Sequence, residues 1–158
     1  MSRKEELIAG LIEARRQILD AVTVLPPEKQ DEVFLGTWSI KDLLAHLVGW
    51  DFANMEAVKD IREGQPPHVF QHWNPNWVKY NAELVRRYKH DDFVALLDSI
   101  QQSHNALIEF VRTIPAEDIE KDFGIRSSDG TNITVEWFLQ FEIDDEGRHY
   151  QQIRDTCQ

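Results

Sequence analysis

Apolar residues recur at spacings of three and four along four long runs of this chain, and proline or glycine punctuates the gaps. That period is the signature of helices that bury one face. Leu7, Leu11, Ala14, Ile18, Val22 and Leu25 form the first stripe, closed by Pro26 and Pro27. Ser39, with Asp42 three residues on, gives a capping-box-like start to the second. Its stripe of Ile40, Leu43, Leu44, Leu47, Trp50, Asn54, Val58 and Ile61 runs to about Arg62. Residues 63–75, EGQPPHVFQHWNP, make a turn-rich connection with three prolines. A third helical region spans Asn76 to Ile114, with Lys89, His90 and Asp91 as a candidate interruption and Pro115 as its end. FGIRSSDGTN is a loop with a short hairpin expected around Asp129-Gly130. Thr134 is a natural N-cap for a fourth helix that runs to the end of the chain. With no convincing strand set and no internal repeat, the expectation is an all-α four-helix bundle. It forms a single domain over residues 1–158, with a long crossover between helices 2 and 3.

Composition narrows the partners. The formal charge of −11, from 17 basic and 28 acidic residues, opposes approach to phosphate backbones or anionic lipid, so neither nucleic acid nor membrane is expected to bind. No apolar stretch is long enough to span a bilayer, and MSRKEELIAG lacks the apolar core of a signal peptide. A single cysteine, Cys157, excludes an internal disulfide framework or a multi-cysteine zinc site. The expected location is the cytoplasm.

The last helix breaks the ordinary segregation of charge. At 100° per residue, Val135, Phe138, Leu139 and Ile153 define an apolar face, and Glu142, Asp145, Glu146 and His149 fall within the same arc. Ionisable groups buried in this way need compensation. Asp145 and His149, four residues apart, stack on one face and can reach one ion. His46, on the flank of the second stripe beside Trp50, is the candidate third ligand from a facing helix. Two histidines and one carboxylate with open positions suit iron(II), zinc, nickel or manganese. Against this, a lone helix-flank histidine is usually hydrogen-bonded or solvated, and acids of a terminal helix usually face water. Glu146-Gly-Arg-His149 also matches the Glu-x-x-His element of di-iron bundles, but no second copy exists. His68 and His72 share the spacing of four but lie in the proline-rich connection, where no helix is expected to align them. His90 and His104 lack partners at a telling spacing. Phe70, Trp73 and Trp77 fit either the mouth of a pocket or a pin that holds the crossover down.

TWSIKDLLAHLVGW resembles the second-helix signature of the DinB-like (DinB/YfiT) four-helix-bundle superfamily, with the family's tryptophan, capping serine and histidine at Trp38, Ser39 and His46. The C-terminal stretch resembles the family's last helix, where a His-x-x-x-His pair precedes a Gln-Ile ending. His149, Gln152 and Ile153 match it, and Asp145 stands at the first histidine position. The resemblance implies a three-histidine metal centre, commonly zinc or nickel, at one end of the bundle. It also implies thiol S-transferase or isomerase relatives and homodimerisation through helix faces. The ClbS/DfsB group, which acts in self-protection against a reactive natural product, resembles the N-terminal half.

Three functions are then open. The first is a metal-dependent hydrolase or thiol S-transferase acting on a small electrophile. In it His46, Asp145 and His149 hold a divalent ion, zinc or nickel ahead of iron or manganese, and Glu142 or Glu146 orients a ligand or serves as general base. The second is a metal-free bundle that sequesters a small molecule against Trp50 and Trp73, with its acids paired to Arg148, Arg126 or a cationic ligand. The third is a dimeric structural protein whose site has decayed.

Overall fold

A computed structural model describes residues 1–72 and 76–157. Four long helices dominate it: α1 (Arg3–Thr23), α3 (Ile40–Arg62), α5 (Phe93–Thr113) and α6 (Val135–Cys157). The shorter α2 (Pro27–Gln30) and α4 (Trp77–Tyr88) fill the connections. The third expected region is therefore two helices. Asp92 caps α5 by accepting a hydrogen bond from the Val94 amide, so the chain breaks between Tyr88 and Phe93. Several short features were not expected: α2 itself, a small antiparallel pair, β1 (Val33–Leu35) with β2 (Trp38–Ser39), and 3-10 turns over His68–His72 and Ala116–Asp118.

The expected caps form. Ser39 and Asp42 make both bonds of a capping box, and the Trp137 amide donates to Thr134 Oγ1 at the start of α6. The turn at Asp129-Gly130 also forms. Arg126 and Asn132 bridge it, and Gly130 takes φ 87°, which a side chain would strain.

Leu7 and Leu11 of α1 share a core with Val58 and Ile61 of α3, Leu107 and Val111 of α5, and Phe138 and Leu139 of α6. Ile18 and Val22, Leu43 and Leu47, Leu96 and Ile100, and Ile153 form a second core beyond it. The order of these contacts sets the topology. Helices α1 and α6 run from the first core to the second, while α3 and α5 run the other way. A tight turn would make α3 and α5 antiparallel; the crossover through residues 63–76 and α4 makes them parallel. Val69 is buried in the first core and Phe70 stacks near Phe138 at 6.3 Å, which pins the crossover down. Trp77 is 48% exposed, and Trp73 lies outside the described residues.

Tight packing pairs α1 with α6 and α3 with both α5 and α4, leaving looser seams at α3/α6 and α1/α5. Gly49 lets α4 close on α3, since a Cβ there would sit 2.8 Å from Leu84 Cβ. A β-carbon cannot swing aside as a side-chain tip can. Gly49→Ala should therefore destabilise the protein by about 1–3 kcal/mol. Gly10→Ala meets the movable Ile143 Cδ1 and should cost less. Urea denaturation of both variants checks the order.

Candidate metal centre

The α3/α6 seam brings the three expected ligands together. One donor atom each from His46, Asp145 and His149 lies within 4.8 Å of the others. Tetrahedral ligands on zinc stand roughly 3.4 Å apart, given bonds of about 2.1 Å. His149 Nε2 and Asp145 Oδ2 are 3.4 Å apart, so this pair is already at ligand spacing.

The surroundings prepare each group for ligation. His149 Nδ1 lies 2.8 Å from Gln152 Oε1, and donating its proton there leaves Nε2 facing Asp145. Burial pushes the His149 pKa down, but Asp145, Gln152 and Glu146 outweigh it and the net shift is upward. For Asp145 burial also opposes the charge, yet His149 and then Arg148 hold the carboxyl at about 2. His46 is 5% exposed, between Trp38 at 4.7 Å and Trp50 at 6.2 Å, and its ring centre is 5.5 Å from that of His149. Burial, then repulsion from His149, takes its pKa to about 3, so it is neutral. Its Nδ1 is buried with no hydrogen-bond partner among the described residues. A neutral imidazole with an unused nitrogen, an ionised carboxylate and an oriented second imidazole form a donor set that fits a divalent metal.

The single arc expected on α6 resolves into two stripes. Asp145 and His149 border the seam, whereas Glu142 and Glu146 point into the bundle and are 5% and 2% exposed. What compensates Glu146 is Arg15 of α1, itself 1% exposed. Its Nη1 and Nη2 donate to the two oxygens of Asp51 at 3.0 and 2.8 Å. Its Nε donates to Glu146 at 3.1 and 3.2 Å, and Nη2 also reaches Glu146. Ser103 of α5 donates to Asp51 at 2.6 Å. Neither Arg15 nor Asp51 was among the expected site residues, although Arg15 sits on the first stripe, four residues after Leu11 and three before Ile18. Arg148 does pair with Asp145 at 2.9 Å, but Arg126 pairs with Asp122 and Asn132 instead. Among the described residues Glu142 has no cation of its own. Burial, and then Glu146 and Asp145, push its pKa up to about 8, opposed by the nearby Asn54 amide.

Other histidines serve different ends. His68 is held by Asp60 and Glu56 of α3, and the His90 ring accepts from the Asp92 amide.

A helical bundle with a two-histidine, one-aspartate cluster in a lateral seam is the class that fold and site define. The DinB superfamily profile matches residues 10–153, and the chain belongs to that superfamily. Solved structures share the fold at low identity. A Streptococcus pneumoniae protein superposes with TM-score 0.77 at 18% identity, covering 98% of this chain and 90% of its own. The colibactin self-resistance protein ClbS, in complex with double-stranded DNA, gives 0.77 and 18%, over 98% and 95%. An uncharacterised Escherichia coli UTI89 protein gives 0.72 and 17%, over 97% and 91%. No curated protein matches the sequence. The ClbS complex does not fit the expectation that nucleic acid is excluded: a bundle of this shape can carry duplex DNA, so net charge alone does not settle the matter. No helix among the described residues is long and apolar enough to cross a membrane.

Two predictions follow from the buried charges. Arg15→Ala strands two buried carboxylates and should cost about 3–5 kcal/mol in urea unfolding. Replacing Arg15, Asp51 and Glu146 together by apolar residues of similar size should cost much less. For Glu142 the folded pKa near 8 stands above the ordinary 4.5. Below the lower value the carboxyl is protonated in both states. As pH rises toward 8 the unfolded chain ionises and the folded one resists, so stability is lost across that window. Glu142→Gln should flatten this part of the profile of urea midpoint against pH in metal-free protein.

Proposed function

We propose that the protein is a metal-dependent enzyme, a hydrolase or thiol S-transferase for a small electrophile, with His46, Asp145 and His149 as metal ligands. The observation that carries this reading is the convergence of one donor atom from each of the three within 4.8 Å. A divalent ion there supplies Lewis acidity and lowers the pKa of a bound water or thiol. The chain's own groups do the remainder. Gln152 fixes the His149 tautomer, and Arg15 holds Glu146, which makes Glu146 a positioning residue with no free oxygen for proton transfer. Glu142, protonated at neutral pH, is suited to donate a proton before it accepts one. Trp38 and Trp50 flank His46, and the Trp50 indole N–H donates to Asn81 Oδ1 at 2.7 Å, which locks one wall from α4.

A second reading has its own support. Asp145 already pairs with Arg148 and His149, which satisfies its charge without a metal. On that reading the bundle binds a small molecule or duplex DNA non-enzymatically, the latter as the ClbS complex shows for a protein of the same fold.

Metal stoichiometry and affinity of untagged protein separate the two. The enzyme reading expects one divalent ion per chain, at least ten-fold weaker binding in Asp145→Ala, and retained or tighter binding in Asp145→His. Affinity should fall as pH drops, since protons compete for His149. Metal binding in Asp145→His but not in the native protein would identify a lapsed site and sink the enzyme reading. Duplex titration of the same samples then reads the alternative.

A further inference from the structure

The α1/α5 seam, across the Arg15 cluster from the metal ligands, opens into a groove of about 630 Å³. That volume is in the range of small-molecule sites. Ile12, Leu19 and Ile108 supply apolar walls, and Gln101 and Asn105 bring exposed side-chain amides. His104 lines it too. Its ring is 9% exposed, and neither nitrogen has a hydrogen-bond partner among the described residues. A buried imidazole normally satisfies at least one nitrogen, and leaving both unmet is costly.

The charges around the groove are already spent. Arg16 pairs with Glu13 and Asp20, Arg112 pairs with Glu109, and Arg15 is held by Asp51 and Glu146. A charged ligand would have to displace one of these partners to gain a counter-ion. His104 is itself neutral: burial and then Arg15 push its pKa down to about 4, with Asp51 opposing. A neutral imidazole offers one donor and one acceptor, which complements a hydroxyl or an amide.

We propose that this groove is a second ligand site, for an uncharged molecule that carries a hydroxyl or amide group beside an apolar body. Because the His104 nitrogens are covered, the ligand engages them through a change of imidazole rotamer. The proposal does not depend on the metal reading.

Four probes of similar size test it on the full chain by amide chemical-shift mapping: benzamide, benzyl alcohol, benzoate and benzylammonium. Benzamide and benzyl alcohol should give saturable shifts at Gln101, His104, Asn105 and Ile108 by about 10 mM, in the range of weak fragment affinities. The two ions should bind about ten-fold more weakly. His104→Phe should lower affinity for the neutral pair about ten-fold, the loss expected for one hydrogen bond. Ile12→Glu, at a position 42% exposed and so harmless to folding, should weaken it as well. No saturable shift at the groove, equal binding of the ions, or shifts centred on the α3/α6 seam would overturn the proposal. So would shifts that follow protein concentration instead of probe, the mark of contact between two copies of the chain.

Discussion

One guanidinium joins all four long helices. Arg15 of α1 binds Asp51 of α3 and Glu146 of α6, and Ser103 of α5 completes the layer through Asp51. This layer divides the apolar interior into its two cores. On α1 it lies between Leu11 and Ile18, on α3 between Leu47 and Ala57, and on α5 between Ile100 and Leu107. Such clusters seldom add net stability, because the desolvation of each ion offsets the attraction. They do penalise misalignment. A one-turn slip of α1, α3 or α6 would bury an unpaired charge, whereas a slip between two leucine layers costs little. The layer therefore fixes the axial register of the bundle, and that register sets His46 opposite Asp145 and His149.

The long helices were legible because their signals are local. The Ser39–Asp42 box, the Thr134 cap and the prolines act within a turn, and each formed as the sequence implied. Asp92 also acts locally, as the cap of α5, yet among Lys89, His90 and Asp91 only an interruption was expected, with no cap assigned. The short β1/β2 pair escaped notice because two or three residues carry too little periodicity to register. A 3-10 turn over His68–His72 escaped for a related reason: proline-rich segments suppress α-helix but tolerate tighter turns.

Site legibility stopped at one-dimensional geometry. Spacing of four put Asp145 and His149 together, and the wheel correctly warned that the α6 acids are inside. It could not separate Glu142 and Glu146 from the seam pair, because a wheel ignores which neighbour each face meets. Nor could it find the compensating cation, which comes from a helix 131 residues away in sequence. Arg15 did carry a signal. An arginine on an apolar stripe is anomalous for the same reason as an acid on one, and two anomalies of opposite sign in one small domain call for each other.

The electrostatics of the two polar features form one system. Arg15 faces the carboxyls of both Asp51 and Glu146, and burial still raises the Glu146 pKa against the pull of Arg15. Asp145 adds another negative charge, and its partner Arg148 is mostly in water, where its effect is screened. Asp145, then Gln152 and Glu146, raise the pKa of His149 despite burial. A proton on His149 is the smallest cation that answers these groups, and a divalent ion between His149 and Asp145 would answer them more completely. His46 fits that second solution. Its neutral ring adds no charge, and its Nδ1 has no hydrogen-bond partner among the described residues. The buried layer that fixes the register thus also touches the electrostatics of the seam, through Glu146.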